Sequence, residues 1–332
     1  MIKKSGEVDK ILTIPIKNEK LWSPSKPHLY DLSLSLMKNG KVMDSVGSYF
    51  GMRKISIGKD SKGITRILLN NKFVFLRGPL DQGYWPDGLY TAPTDNALKY
   101  DLQIIKKLGF NMVRKHQKVE PQRWYYWCDK LGLVVFQDMP GPHWENNFKS
   151  KETIETDKEF KKELERMIKS HWNHPSIVMW VLFNEGWGQH DTENLTNLVK
   201  ETDPSRLVDD ASGWVDKKVG DVIDVHHYPD PFSPKPEANR AAVLGEFGGL
   251  GLAIQGHLWE TQQCSYKKMH NNNDFLKNYK RLAKKVRLLK EKPGLSTAVY
   301  TQLTDVESEI NGLMTYDRKI IKLSFKISTF LK

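Results

Sequence analysis

Cysteine is scarce in this sequence, and long apolar runs are missing from it. The 332 residues include only two cysteines, Cys128 and Cys264, so neither a disulfide framework nor a four-cysteine zinc site is possible. The longest apolar runs, such as residues 177–183, are too short to cross a membrane. The first ten residues lack the apolar segment of a signal peptide. We therefore expect a soluble protein, cytoplasmic as written, or periplasmic or secreted if the natural N-terminus lies upstream.

Negative charge is also in the minority, with 40 acidic residues against 51 lysines and arginines. An excess of positive charge is common in proteins that bind nucleic acids. Here, however, ten of the basic residues lie in residues 267–292, where they alternate with apolar residues at helical spacing. That pattern is typical of the solvent-exposed face of a helix. No nucleic-acid motif accompanies it, so we expect neither a nucleic acid nor a membrane as a partner.

Residues 1–64 differ in pattern from the rest of the chain. Three short segments alternate apolar and polar residues as strands do: 12–16, 29–37 and 51–57. An Asn39-Gly40 pair is a typical hairpin turn. An immunoglobulin-like sandwich needs about seven strands, so these residues predict only a partial β-sandwich segment.

From residue 65 to 332 apolar strand-like runs alternate with helical segments. Eight such runs are present: 73–78, 110–114, 133–138, 177–185, 206–212, 222–228, 241–247 and 296–303. Helices are predicted over 95–108, 121–131, 155–171 and 190–203. Eight such units over this length predict a (β/α)8 TIM barrel. A doubly wound open sheet is the alternative, but no glycine-rich phosphate loop follows the first run.

Active sites of TIM barrels lie at the C-terminal ends of the strands. The residues at the ends of the eight runs are mostly polar: Arg77, Arg114, Asp138, Asn184, Glu185, Asp209, Asp210, His226, His227, Tyr228, Glu246 and Gln302. Eight unrelated strands would not usually all end in polar groups. The pattern therefore predicts a polar pocket that contains carboxylates.

Two glutamates in this set have the chemistry of glycoside hydrolysis. Glu185 ends the fourth run and Glu246 ends the seventh, so both side chains can enter one cavity. Such a reaction needs one carboxylic acid that protonates the leaving oxygen and one carboxylate that stabilises or attacks the sugar carbon. We expect Glu185 to be the acid/base and Glu246 the nucleophile.

Neighbouring residues could adjust the two glutamates to these roles. Arg77 and Arg114 could keep Glu246 ionised by charge pairing, and Asn184 could donate a hydrogen bond to a sugar hydroxyl. Desolvation by three aromatic residues could raise the pKa of Glu185: Trp180, Phe183 and Trp187. Five tryptophan rings near the strand ends, Trp187 among them, suit stacking on sugars: Trp85, Trp144, Trp187, Trp214 and Trp259.

Several segments resemble glycoside hydrolase family 2, the family of β-galactosidases, β-glucuronidases and β-mannosidases. The resemblance includes HPSIVMWVLFNEGWGQ (174–189), LGEFGG (244–249), GFNMVRKH (109–116), WCDKLGLVVFQDMP (127–140), FLRG (75–78) and LWSPSKPHLYDL (21–32). The last segment looks like the immunoglobulin-like domain that precedes the barrel in this family. The family's usual sugar-binding jelly roll is absent from the sequence, and the sandwich is incomplete, so we expect a truncated N-terminal portion.

The resemblance implies a retaining β-glycosidase, β-galactosidase-like, with Glu185 as acid/base and Glu246 as nucleophile. It implies that Asn184 contacts the 2-hydroxyl of the sugar, that Arg114 supports the nucleophile and that Tyr228 donates a hydrogen bond to it. It also implies a pocket lined by Asp138, His226, His227 and Trp259. A carbohydrate is then the expected partner, with no cofactor and no metal. No clear Asn-x-Lys motif, which reads carboxylates in this family, follows the nucleophile segment, and this argues against glucuronides.

Three other functions remain as alternatives. A catalytically impaired, sugar-binding remnant of such an enzyme would share all these motifs. A metal hydrolase could use Asp209, Asp210, His226 and His227, but adjacent residues on a strand point to opposite faces, so both histidines cannot enter the pocket. A nucleic-acid binder would need more than the basic helix. The sequence indicates neither the sugar nor an oligomeric state.

Overall fold

Antiparallel strands come first in the computed structural model, which describes residues 2–141 and 151–323. They are β1 (Tyr30–Lys38), β2 (Lys41–Phe50), β3 (Ile55–Lys59), β4 (Thr65–Leu69) and β5 (Lys72–Phe73). β1 and β2 form a hairpin around Asn39 and Gly40, whose φ angles of 50° and 75° suit an Asn-Gly turn. β3, β4 and β5 form a separate sheet. Residues 1–64 therefore contribute the hairpin and one strand, β3, of the small sheet.

The hairpin is largely exposed, but the segment around it is fixed to the rest of the protein. Leu34 and Val46 face each other in register, and their exposed fractions are 51% and 56%. Trp22, in contrast, is fully buried and donates its indole N–H to the backbone oxygen of Asp129 at 2.8 Å. The Tyr49 hydroxyl donates to the carboxylate of Asp129 at 2.7 Å.

Eight parallel strands form the central barrel. They are β6 (Leu76–Asp81), β7 (Met112–Lys115), β8 (Val134–Asp138), β9 (Ile177–Val181), β10 (Leu207–Asp209), β11 (Val222–His227), β12 (Ala241–Gly248) and β15 (Thr297–Thr301). Between β12 and β15, two short strands, β13 (Leu250–Gly251) and β14 (Lys267–Lys268), form a separate pair. The barrel order is β10-β9-β8-β7-β6-β15-β12-β11. Next to β11, the N–H of Asp221 donates to the oxygen of Val208 in β10 at 2.8 Å and so joins the two ends of the sheet. The predicted TIM-barrel fold is confirmed.

The helices pack around this barrel and follow the predicted positions. They are α1 (Asp95–Lys107), α2 (Gln122–Leu131), α3 (Lys151–His171), α4 (Thr192–Thr202) and α5 (Asn272–Glu291). The cap of α1 is Thr94, whose hydroxyl accepts the N–H of Ala97 at 3.1 Å. Residues 210–221 and 228–240 are described and contain no helix, so two connections are loops. Among the described helices, none has the length and apolar character of a membrane span.

The small sheet β3–β5 packs against the barrel. Ile67 and Leu69 of β4 have exposed fractions of 1% and 3%, and they lie in one buried cluster with Leu76, Met112 and Val178 of the barrel strands. Burial of each such aliphatic side chain contributes about 1.5–3 kcal/mol. The division of the chain after residue 64 remains a prediction, and β3 and β4 pair across it.

The first barrel strand is the one element whose register differs from the prediction in a way that matters for the site. The apolar run predicted a strand over residues 73–78, whereas β6 covers Leu76–Asp81. Arg77 therefore lies near the start of β6, away from the C-terminal rim. Leu80, at the other end of the same strand, lines the cavity described next.

Candidate active site

A cavity of about 470 Å³ lies at the C-terminal ends of the barrel strands. Both predicted catalytic glutamates, Glu185 and Glu246, line it together with Asn184. Its wall also includes Trp187 and the segment 306–309, which follows the last strand. The volume is sufficient for a sugar-sized ligand.

Glu185 follows β9 in an unusual backbone conformation. Its φ angle is 56°, in the left-handed region that non-glycine residues rarely adopt. Two features fix this conformation. The backbone N–H of Glu185 donates to the backbone oxygen of Ser212 at 2.8 Å, and the next residue, Gly186, continues the turn with a φ angle of 78°. Strain of this kind persists where the surrounding structure enforces it and is concentrated at functional sites. The turn exposes 20% of the Glu185 side chain to the cavity.

Glu246 lies within β12 and is almost completely buried. One carboxylate oxygen, Oε1, is 3.3 Å from the guanidinium of Arg114. The other oxygen, Oε2, accepts hydrogen bonds from the hydroxyl of Tyr228 and from Thr301 Oγ1, the latter at 3.1 Å. Donors therefore surround the carboxylate on both sides and favour its ionised form.

The two glutamates are close enough to act on one atom. Single oxygen atoms of Glu185 and Glu246 lie within 4.8 Å of each other, as does a ring nitrogen of His226. In retaining glycosidases the two carboxyl groups are about 5–5.5 Å apart, whereas inverting enzymes need roughly 6.5–9.5 Å to admit a water molecule. An approach of single oxygens within 4.8 Å is compatible with the shorter of these two separations.

Arg114, at the C-terminal end of β7, connects the nucleophile candidate to two other predicted residues. Its Nε and Nη2 donate to both oxygens of Asp138 at 3.0 and 2.9 Å, and Nη2 also donates to Asn184 Oδ1 at 2.8 Å. Its Nη1 approaches Glu246. All four side chains are buried. Asp138 thus orients Arg114 rather than lining the cavity, while Asn184 lies on the cavity wall.

Electrostatics hold Glu246 in the charged state. Burial by itself raises the pKa of Glu246, but the charges of His226, Arg114 and His116 and the hydrogen bond from Tyr228 outweigh burial, so the pKa lies below its usual value. Burial also raises the pKa of Asp138, and Arg114 and His116 likewise reverse the effect. A carboxylate that stays ionised is the form required for nucleophilic attack.

His226 is the residue that links the two glutamates. Its Nδ1 is 2.8 Å from Glu185 Oε1, and its Nε2 is 2.8 Å from the hydroxyl of Ser212. That hydroxyl donates to Asp224 at 2.7 Å, and Asp224 also accepts the N–H of Gly245 at 2.6 Å. The ring is therefore fixed by a chain of buried polar groups beneath the cavity.

The expectation that Arg77 supports Glu246 is wrong. Arg77 points outward from the barrel, where its Nη2 donates to the backbone oxygen of Gly109 at 3.0 Å. It borders a small apolar space between the sheet and α5, with Phe110 and Tyr279. The reason is the register of β6, because a residue near the start of a strand cannot reach the opposite rim.

Two other residues predicted to line the pocket lie elsewhere. His227 is exposed, with its Nδ1 2.5 Å from the oxygen of Asp230 and its ring stacked on Phe232. Trp259 packs against Tyr316, with ring centroids 5.4 Å apart, and does not belong to the cavity wall. The alternation of side chains along β11 makes His226 the inward residue and turns His227 outward.

The aromatic residues divide between the site and the core. Trp187 lines the cavity, and Trp214 lies edge-on to His226 with centroids 5.6 Å apart. Trp180 and Phe183, predicted beside Glu185, are buried in the core, and so is Trp85, which was predicted to stack on a sugar. Trp144 lies outside the described residues.

Sequence reasoning missed several residues of the cavity wall, chiefly those after the last strand. Glu309 and Gln82 line the wall, and Gln302 donates from its Nε2 to Glu309 at 2.6 Å. Tyr266 also lines the wall and stacks on Tyr228 with centroids 3.6 Å apart. The one signal for Glu309 in the sequence was a carboxylate that follows the end of the last barrel strand, β15.

A metal ion is less compatible with the site than acid–base chemistry. Glu185, His226 and Glu246 could each offer a ligand atom. The guanidinium of Arg114, however, already contacts Glu246 at 3.3 Å, and its positive charge would repel a cation there. The charge of Arg114 therefore disfavours a metal ion among these three residues.

The fold and the site together define a TIM-barrel protein with a carboxylate pair at its C-terminal rim. The family model described as glycosyl hydrolases family 2, TIM barrel domain, matches residues 62–326, and the model described as glycosyl hydrolases family 2 matches residues 2–53. The chain therefore belongs to glycosyl hydrolases family 2.

The relatives that this chain matches are considerably longer than the matched region. A putative beta-glucuronidase of Formosa agariphila is 33% identical over 58% of this chain and 24% of its own length, and a beta-galactosidase of Leuconostoc mesenteroides is 29% identical over 64% and 20%. The chain thus spans about a quarter or less of these relatives. Among solved structures, a GH2 beta-galacturonidase from Eisenbergiella tayi has a TM-score of 0.73 at 20% identity, over 95% of this chain and 60% of that one. That likeness shows the fold.

Proposed function

We propose that this protein is a retaining β-glycosidase that hydrolyses O-glycosidic bonds by double displacement. The observation that carries the proposal is the pair Glu185 and Glu246, which place oxygens within 4.8 Å of each other in one cavity. Membership of the family supports the reaction class. Beta-galactosidases among the relatives support a β-galactosidase-like activity on a carbohydrate substrate.

In the first step Glu246 attacks the anomeric carbon of the sugar. The bond between that carbon and the leaving oxygen breaks, and Glu185 transfers its proton to the oxygen, so the alcohol departs neutral. The product of this step is a glycosyl ester on Glu246. Tyr228 and Arg114, which contact Glu246, stabilise the carboxylate before the attack and orient it.

In the second step a water molecule replaces the departed alcohol. Glu185, now a carboxylate, removes a proton from the water while the water oxygen attacks the anomeric carbon. The ester bond breaks, Glu246 becomes a carboxylate again and Glu185 regains its proton. Two inversions at one carbon give overall retention.

The test is the stereochemistry and the covalent intermediate. NMR of the first-formed sugar from a nitrophenyl β-glycoside should show the β anomer. Glu246→Ala should lose turnover, and added azide should restore part of it by forming the glycosyl azide of inverted configuration. Formation of the α anomer by the unmodified protein would contradict the proposal. Binding of the glycoside without turnover would instead indicate an impaired, sugar-binding remnant.

A further inference from the structure

Glu309 is a carboxylate on the cavity wall that has no role in the two steps above. Glu309 follows β15 in a tight turn. Its backbone N–H donates to the backbone oxygen of Val306 at 2.9 Å, and its backbone oxygen accepts the N–H of Val306 at 3.1 Å. The neighbouring Cys264 brackets the same turn through hydrogen bonds to Ser308 and Ile310 at 2.8 and 3.1 Å. The backbone of Glu309 is therefore fixed relative to the barrel.

Two glutamine amides orient the side chain of Glu309. Its Oε2 accepts from Gln302 Nε2 at 2.6 Å and from Gln82 Nε2 at 3.3 Å. The remaining hydrogen on each nitrogen is also used, because Gln82 donates to Gln302 Oε1 at 2.8 Å and Gln302 donates to Asn311 Oδ1 at 3.0 Å. Both amides therefore present N–H groups to Glu309, which suits an ionised carboxylate.

The second oxygen of Glu309 is available to a ligand. Among the described residues, Oε1 has no hydrogen-bond partner, although the side chain lines the cavity. The oxygen lies in the same cavity as Glu246. Burial and the charge of Glu246 raise the pKa of Glu309 above its usual value, while the hydrogen bonds from Gln302 and Gln82 act in the opposite direction. A carboxylate fixed on one oxygen and free on the other is a strong acceptor for hydroxyl groups.

The charges around the cavity favour a neutral ligand. Four carboxylates line the wall: Glu185, Glu246, Glu307 and Glu309. The one lysine on the described wall, Lys118, is already engaged, with Glu120 at 3.0 Å and the backbone oxygen of Gly83 at 2.7 Å. Arg114, behind the wall, is paired with Asp138 and Glu246. His116, the other basic side chain on the described wall, is paired with Asp138 at 2.9 Å. The described wall therefore holds no unpaired cation that could neutralise an acidic sugar.

We infer that Glu309, held by Gln82 and Gln302, accepts hydrogen bonds from hydroxyls of a neutral sugar and excludes uronic acids from the site. The inference rests on the proposed function and names its substrate class. Bringing a uronate beside Glu309 would place two like charges in a partly buried cavity, which is unfavourable. Glu309 is thus a specificity-determining residue rather than a member of the catalytic pair.

The first experiment compares matched sugars with the unmodified protein. Nitrophenyl β-galactoside and β-galacturonide differ only at C6, as do the β-glucoside and β-glucuronide. We expect kcat/KM for the better neutral sugar to exceed that of its uronide at least about 100-fold. The corresponding uronamide, which has similar shape and no charge, should recover much of the loss. A uronide that is cleaved as well as the neutral sugar would overturn the inference.

The second experiment changes the charge at residue 309. Glu309→Gln keeps the shape of the side chain, and we expect it to lower kcat/KM for the neutral sugar about 10- to 100-fold. The ratio of kcat/KM for the neutral sugar to kcat/KM for the uronide should also become smaller. Glu201→Gln makes the same charge change on the exposed surface of α4, outside the cavity wall, and should alter both values less than about 3-fold. Equal effects of the two variants, or equal losses on both sugars, would overturn the inference.

Failure of the proposed function would be distinguishable from failure of this inference. A 2-deoxy-2-fluoroglycoside with a good leaving group should label Glu246, which mass spectrometry of the digested protein detects. A labelled Glu246 with poor discrimination against uronides would overturn only the role of Glu309. No turnover of any β-glycoside and no label on Glu246 would overturn both.

Discussion

The Nδ1 atom of His226 lies 2.8 Å from Oε1 of Glu185. The same nitrogen is 3.6 Å from Oε1 of Glu246, so one ring approaches both carboxylates of the site. Its other nitrogen is held by the hydroxyl of Ser212 at 2.8 Å and by Arg114 at 3.2 Å. These contacts hold the ring in an orientation in which Nδ1 faces both carboxylates.

Replacement of His226 tests this relationship through the pH profile. The charge of His226 helps to keep the pKa of Glu246 below its usual value. In His226→Asn that pKa should rise, and because Glu246 acts as a carboxylate, the acid limb of kcat/KM should move to higher pH. We also expect a loss of about 10-fold in kcat/KM at the optimum. The measurement is kcat/KM against pH for an activated aryl glycoside.

His227 supplies the matched control for that experiment. It is the next residue on the same strand, but its ring lies outside the cavity against Phe232. His227→Asn should leave the acid limb where it is in the unmodified protein. Equal displacement in the two variants would show that the limb does not report on Glu246.

The two arginines that the sequence could not distinguish give a second prediction. Arg114→Met removes the partner of the buried Asp138 and Glu246, so kcat/KM should fall at least about 100-fold and the free energy of unfolding by about 3–5 kcal/mol. Arg77→Met changes an arginine that faces the helices and should alter kcat/KM less than about 3-fold. Steady-state kinetics and thermal unfolding check both. A comparable loss of activity in the Arg77 variant would restore its predicted role at the site.

These residues also show what sequence patterns can and cannot determine. Runs of apolar residues located the strands, and polar strand ends located Glu185 and Glu246, because barrel geometry brings those ends together. The same reasoning failed for Arg77, since a shift of three residues moves a side chain from one end of a strand towards the other. It also failed to choose between His226 and His227, because a period of two fixes alternation but not its phase. Glu309 depends on a turn that only tertiary contacts fix.

A third prediction separates the roles of the two glutamates by leaving group. Glu185→Ala removes the acid that protonates the departing oxygen, so kcat/KM should fall at least about 100-fold for an alkyl glycoside. The leaving group of a dinitrophenyl glycoside needs little protonation, so the rate of the first step with this substrate should fall much less. Rates of release of both leaving groups check this. Losses of equal size on both substrates would contradict the role of Glu185 as the acid.

The last prediction concerns stability and a carboxyl group outside the cavity. Asp210, next to β10, is 2% exposed, and burial raises its pKa to about 6. Since its ordinary value is about 4, the native state holds the proton more tightly than the unfolded chain. That contribution to stability is fully present below pH 4 and is lost as the pH rises through 6. Asp210→Asn, which cannot ionise, should therefore raise the free energy of unfolding by about 1–3 kcal/mol at pH 8 and leave it unchanged near pH 4.

Asp216 gives a control of opposite sign for the Asp210 variant. Its hydrogen bonds and ion pair with Arg240, at 2.7 Å, lower its pKa below the usual value. A group of this kind stabilises the native state at pH values above its ordinary pKa, and the contribution is lost as the pH falls through the native value. Asp216→Asn should therefore lower stability at pH 8 and have progressively less effect in acid. Urea unfolding of both variants at several pH values measures the difference, and a stabilising effect of Asp210→Asn that is the same at pH 4 and pH 8 would show that its charge is not the cause.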